Sequence, residues 1–170
     1  LEIPYLMGAR SDRSMVPGDS IDIQVVADCI NSIGAGIVHL YDVHSDVSLK
    51  YIKNSQNIPA YHLIDKYKQT NAVLVCPDKG AKHKVEAIMR WPHIAHVIYC
   101  DKSRDLETGR ITLTVQTPEV VTGRSYVIVD DLCDGGGTFN AIAEQLKPHN
   151  PRHATLIVTH GVFSQGLDKL

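Results

Sequence analysis

Five short apolar runs recur along the chain, Ile37–Tyr41, Ala72–Cys76, His96–Cys100, Tyr126–Val129 and Ala154–Val158, with amphipathic stretches between them. Near-continuous Val, Ile and Leu without strict alternation is the pattern of strands buried on both faces, and its alternation with helical stretches predicts a parallel sheet flanked by helices. The segment Asp22–Ile33 puts Ile23, Val26, Ala27, Ile30 and Ile33 on one helical face, with Gly34 as its stop. Lys82–Arg90 and Phe139–Leu146 also suit helices, the second closed by Pro148 and Pro151. Ile111–Gln116 alternates apolar and polar residues and predicts a half-exposed strand in a flap bounded by Gly109 and Pro118. Asn54–Pro59 and Lys66–Asn71 are polar enough to be connections, the second a link between two lobes. The chain carries no repeat at a solenoid period and no low-complexity tract.

At 170 residues and 44% hydrophobic composition, the chain can bury one substantial core, or one complete domain and part of a second. The formal charge of −2 arises from interleaved acids and bases, so no long-range field favours nucleic acid or a membrane surface over a small charged metabolite, and a local site must supply specificity. Cys29, Cys76, Cys100 and Cys133 lack the C-x-x-C spacing of a zinc cage or redox pair, so they read as reduced thiols in a cytoplasmic protein. No apolar stretch approaches the roughly 20 residues that a membrane span needs.

Chemistry concentrates after the fourth apolar run. Val127–Val129 leads into Asp130 and Asp131, then Leu132, Cys133, Asp134, the glycines Gly135, Gly136 and Gly137, and Thr138, which opens a helical segment. Consecutive glycines permit positive φ and bring backbone N–H groups close to a phosphate, and the helix N-terminus adds partial positive charge. Two carboxylates beside that cradle can accept hydrogen bonds from vicinal ribose hydroxyls or position magnesium. The ligand that uses both features is a sugar phosphate. No lysine follows the glycines, which separates the loop from the P-loop, and the spacing is not that of the dinucleotide fingerprint. A glycine-rich hairpin with acids on its rim is the bland alternative.

These residues resemble the hallmark of the type I phosphoribosyltransferase superfamily: an apolar run, two acids, two apolar residues and D-[TS]-[GA]-G-T. Here the loop is Asp134-Gly-Gly-Gly-Thr138, with Gly135 where the family usually has a hydroxyl. Within the superfamily the chain is more similar to the ribose-phosphate pyrophosphokinase family, because further segments agree in order along nearly its whole length. Pro4-Tyr-Leu-Met-Gly-Ala-Arg-Ser-Asp-Arg13 resembles a segment whose arginines help bind ATP, which gives that role to Arg10 and Arg13. Tyr41-Asp-Val-His-Ser45 resembles the D-L-H-A motif, whose histidine sits at the metal and the ATP phosphates; His44 is the match. Cys76-Pro-Asp-Lys-Gly-Ala81 resembles S-P-D-x-G-[AG], which makes Asp78 the candidate near the ribose and its magnesium. Tyr99-Cys-Asp-Lys-Ser-Arg104 resembles I-D-K-R-R, so Lys102 and Arg104 inherit stabilisation of the transferring group, while Ser103 departs from the pattern. Thr159-His-Gly-Val-Phe-Ser164 matches the family's T-H-[GP]-[VL]-[FL]-S.

The resemblance implies a phosphoribosyltransferase-like fold with one near-complete lobe and part of a second. Residues 1–66 would be a partial N-terminal lobe on the ATP side, and residues 67–170 a C-terminal lobe carrying the ribose-phosphate loop. It further implies a Mg2+-dependent transfer of the diphosphoryl group of ATP to ribose 5-phosphate, giving phosphoribosyl diphosphate and AMP, by a homo-oligomer. Asp130, Asp131, Asp134, Gly135, Gly136, Gly137 and Thr138 would hold ribose 5-phosphate. Two alternatives share the loop: an ordinary phosphoribosyltransferase that consumes the diphosphate, and a non-catalytic subunit associated with a synthetase. Taken singly, His44 would be a structural histidine at a strand end, and Arg10, Arg13, Lys102 and Arg104 solvated charges; their order along the chain is what argues otherwise.

Overall fold

The computed structural model describes residues 1–59, 71–89, 94–104, 111–115 and 122–170. Residues 66–70 of the expected link, Arg90 at the end of the second expected helix, and Gly109 and Pro118 at the flap boundaries lie outside the described residues. The chain divides into two compact units, Leu1–Ala60 and Tyr61–Leu170.

In the first unit, β1 (Glu2–Ile3), β2 (Val38–Tyr41) and β3 (Ser55–Ile58) form a parallel sheet in that order. Helix α1 (Asp22–Ser32) joins β1 to β2, and α2 (Val47–Tyr51) joins β2 to β3. Ile23, Ala27 and Ile30 of α1 pack with Leu6, Val38, Leu40 and Ile52. Gly34 takes φ +70° just past the helix, as its stop signal predicts. Two expectations are corrected. Ile33 caps the helix rather than extending its buried face, and is 62% exposed. Asn54–Pro59 is not merely a connection: Ser55–Ile58 pairs with Val38–Tyr41 as an edge strand. Among the described residues this strand has one neighbour, and main-chain pairing to it needs no continuous apolar run.

The second unit holds a five-stranded sheet in the order β6-β5-β4-β7-β8. Its strands are β4 (Ala72–Cys76), β5 (Ile94–Arg104), β6 (Ile111–Val115), β7 (Ser125–Cys133) and β8 (His153–Gly161). All neighbours are parallel except β6, which runs antiparallel to β5 with Arg104 opposite Ile111. Helix α3 (Lys82–Ile88) follows β4, and α4 (Gly137–Leu146) follows β7. Because successive strand residues face opposite sides, the sheet separates two cores. Tyr126 and Ile128 of β7 lie with Phe139, Ile142 and Leu146 of α4. Val127 and Val129 lie with Ala81, Val85 and Ile88 on the α3 side. Cys76 and Cys100 are buried, as cysteines at the ends of apolar runs predict, Cys133 is buried as well, and Cys29 is exposed. Burial pushes the Cys76 and Cys100 thiols up to about 12, so both are inert neutral groups in the core. Among the described residues no helix is long and apolar enough to cross a membrane.

Candidate functional site

Strands β4, β5, β7 and β8 are parallel, so their carboxyl ends lie along one edge of the sheet. Ligands of open α/β sheets bind outside that edge. Asp78 follows β4, Asp130 and Asp131 lie near the end of β7, and Lys102 and Arg104 end β5. The main chain at Lys102 and Arg104 pairs with Leu113 and Ile111, and their side chains lie outside the described residues.

The glycine turn is a strand-to-helix junction. β7 runs through Cys133, the chain turns at Asp134 and Gly135, and Gly136 caps α4 with φ +75° and ψ −2°. That left-handed conformation costs a residue with a Cβ about 1–2 kcal/mol, which explains a glycine at this position. The first rung of the helix is Asn140 N–H to Gly136 O at 3.0 Å. The amides of Gly137, Thr138 and Phe139 therefore have no acceptor within the helix ladder and point with its dipole toward the turn. Thr138 is buried in the first turn. The junction is pinned from β8: Cys133 O accepts the N–H groups of Val162 at 2.8 Å and Phe163 at 3.3 Å. The Thr159–Ser164 motif thus has a structural task, and Gly161 leaves room for the Phe163 ring, which a Cβ there would meet at 2.1 Å and displace. Asn140 Nδ2 also donates to Lys169 O at 2.5 Å, so residues 167–170 fold back against the start of α4.

The acids are crowded and unequal. Asp131 N–H donates to Asp130 Oδ1 at 2.9 Å. Burial, a hydrogen bond between the two carboxyls, and the negative charges of Asp131 and Asp78 push Asp130 up from 3.8 to about 8. Asp78 Oδ1 accepts the N–H groups of Gly80 at 2.9 Å and Ala81 at 3.2 Å, which fixes its carboxylate at the turn into α3. On the other side of the pair, Lys84 Nζ lies 3.5 Å from Asp131 Oδ1, with the two side chains 4% and 8% exposed. Lys84 is the functional candidate that the motif search passes over. Its signal was in the helical spacing: it stands among Ala81, Val85 and Ile88 on the apolar face of α3, where a charge is out of place.

The structure therefore gathers Asp78, Asp130, Asp131 and the residues from Asp134 to Thr138 at one edge of the second unit. Arg10, Arg13 and His44 belong to the first unit, and all three are exposed. Arg13 Nε lies 3.6 Å from Asp12 Oδ1. His44 follows the turn at Asp42, a buried residue with φ +46°. Among the described residues no cluster of three or more His, Cys, Asp or Glu side chains could hold a metal by itself. The hard carboxylate oxygens of Asp78 suit a magnesium ion that completes its shell with water and substrate oxygens, the usual mode for this cation. The raised Asp130 is the electrostatic signature of an anionic corner that a cation or hydroxyl donor relieves.

Sheet order, helices on both faces and a glycine turn behind twin acids are those of the phosphoribosyltransferase-like α/β class. The chain belongs to the phosphoribosyl transferase domain family, whose model matches residues 48–169. Among curated relatives, the ribose-phosphate pyrophosphokinase of Sulfurisphaera tokodaii is 25% identical over 166 residues, covering 95% of this chain and 56% of that protein. That of Pasteurella multocida is 30% identical over 173 residues, covering 95% and 53%. The crystal structure of phosphoribosylpyrophosphate synthetase from Mycobacterium smegmatis superposes with a TM-score of 0.75 at 21% identity, covering 95% of this chain and 53% of that one, which establishes a shared fold. The chain spans about half the length of the relatives it matches.

Proposed function

We propose that this chain acts in ribose-phosphate diphosphokinase chemistry: transfer of the β,γ-diphosphoryl group of ATP to the 1-hydroxyl of ribose 5-phosphate. The observation that carries the reading is the junction after β7, where two acids precede a left-handed Gly136 that opens α4. A helix N-terminus receives the 5-phosphate and neighbouring carboxylates receive the ribose hydroxyls, so one rigid turn orients the whole sugar. The match to curated pyrophosphokinases over 95% of the chain includes residues before the domain match begins at residue 48, and so supports the synthetase over a simpler transferase.

In this mechanism the loop from Asp134 to Thr138 holds the 5-phosphate, and Asp130 and Asp131 hold the ribose hydroxyls. The 1-hydroxyl oxygen attacks the β-phosphorus and loses its proton, while the bond from that phosphorus to the oxygen bridging it to the α-phosphate breaks and AMP departs. Lys102 and Arg104 offset the charge that develops on the phosphate oxygens. Arg10, Arg13 and His44 serve the nucleotide, in a lobe spanning residues 1–66, while residues 67–170 form the ribose-phosphate lobe. Mg2+ held by Asp78, with His44 on the ATP side, would supply charge neutralisation at the diphosphoryl oxygens. The active species is a homo-oligomer.

The test is to incubate the purified protein with ATP, ribose 5-phosphate and Mg2+ and resolve nucleotides and sugar phosphates by chromatography. AMP and phosphoribosyl diphosphate should appear in equal amounts, each dependent on ribose 5-phosphate. ADP as the product, or no AMP above the blank without sugar, would overturn the proposal.

A further inference from the structure

We infer that Lys84 is a positioning residue of the ribose site, which holds the Asp131 carboxylate as a fixed acceptor for the sugar's hydroxyls. The inference rests on the reading of the twin acids as the ribose anchor, and extends it to a residue outside every motif considered above. Lys84 is 3% exposed on a helix face otherwise made of Ala81, Val85 and Ile88. Burying an ammonium costs several kcal/mol unless a counter-charge accompanies it. Asp131 supplies such a counter-charge, at 3.5 Å.

The alternation of β7 brings Asp131 to the α3 side. Val127 and Val129 face α3, and Asp131, two residues on, continues that face toward Lys84. Asp130 accepts the Asp131 N–H and shares a hydrogen bond with its carboxyl, so the second acid sits against the anchored one. A buried ion pair contributes little net stability compared with an apolar pair of the same shape. Positioning of a ligand-binding carboxylate accounts for its presence where stability alone does not.

Calorimetric titration of the full chain with ribose 5-phosphate and, separately, with inorganic phosphate tests this. Lys84→Met should weaken ribose 5-phosphate binding about tenfold or more and change phosphate binding less than about twofold, and Lys84→Arg should recover most of the loss. In an Asp131→Asn background, Lys84→Met should have no further effect on the sugar phosphate, because its action runs through that carboxylate. This second comparison removes both buried charges and keeps the test decisive if the single variant does not fold. Equal losses for both ligands, an unchanged sugar-phosphate affinity, or multiplying effects in the double variant would overturn the inference alone. A wild-type chain that binds neither ligand would overturn the functional reading with it.

Discussion

Asp78 Oδ1 accepts the amide hydrogen of Gly80 at 2.9 Å, and so the carboxylate is fastened to its own turn before any ligand arrives. An asparagine at this position keeps the acceptor oxygen and loses the charge. Asp78→Asn should therefore melt within about 1 kcal/mol of wild type, whereas Asp78→Ala, which orphans the amides of Gly80 and Ala81, should lose about 1–3 kcal/mol. Both should raise the Mg2+ concentration needed for half-maximal activity. Thermal melts and Mg2+ titrations of the two variants separate the turn from the charge, and equal melting losses would contradict this account.

The pair between Asp131 and Lys84 gives Asp131 two tasks. Asp131→Ala should abolish turnover and also remove a buried charge 3.5 Å from the Lys84 ammonium, with a loss of stability on the order of a few kcal/mol. Chemical denaturation at neutral pH measures the second effect independently of activity.

Asp130 makes the protein's stability depend on pH in a definite direction. Its folded-state value of about 8 lies above the unfolded 3.8, so the native chain holds a proton that the unfolded chain has already released. The contribution is fully present below about pH 4 and is lost as pH rises through 8. Asp130→Asn, which cannot ionise, should match wild type near pH 4 and exceed it by about 1–3 kcal/mol above pH 8. Melting curves across pH 4 to 9 would reveal the divergence; parallel curves would show that the carboxyl titrates normally.

Two neighbouring glycines should respond differently to substitution. Gly136→Ala places a Cβ on a residue at φ +75° and within 2.6 Å of Leu170 Cδ2, and should lose about 1–2 kcal/mol together with phosphate affinity. A Cβ at Gly135 would meet the flexible Gln165 side chain at 3.2 Å and the Ser164 hydroxyl at 3.8 Å. Gly135→Ser should fold normally and bind ribose 5-phosphate more tightly by a few fold, since it adds one hydroxyl donor to the cradle. Melting and calorimetry on both variants check the contrast.

Lys102→Ala should depress kcat far more than it alters ribose 5-phosphate binding, because charge on the transferring group develops in the transition state. Steady-state kinetics alongside equilibrium binding decides this, and equal losses in both would contradict a transition-state role.

The strands and helices of the second unit were legible in the sequence because burial on both faces leaves unbroken apolar runs, as in Ala72–Cys76. Ser55–Ile58 was not, since an edge strand in this sheet is defined by its partner's main chain and carries Ser, Gln and Asn freely. The twin acids and glycines were visible as letters, but only the coordinates distinguish Gly136, which needs its conformation, from Gly135, which does not. Lys84 stayed hidden for a different reason: motif reading follows residues that repeat a known pattern, whereas its significance is a mismatch with the apolar stripe around it.

The central strand of the second unit acts as a partition, with consecutive side chains answering to different helices. Substitutions in the layer of Phe139, Ile142 and Leu146 should be felt first at the glycine turn that opens α4, and those in the layer of Ala81, Val85 and Ile88 at the helix that carries Lys84. Drift in one half of the hydrophobic interior can therefore retune the hold on one end of a ligand without disturbing the other, an independence that a site built on a single helix would lack.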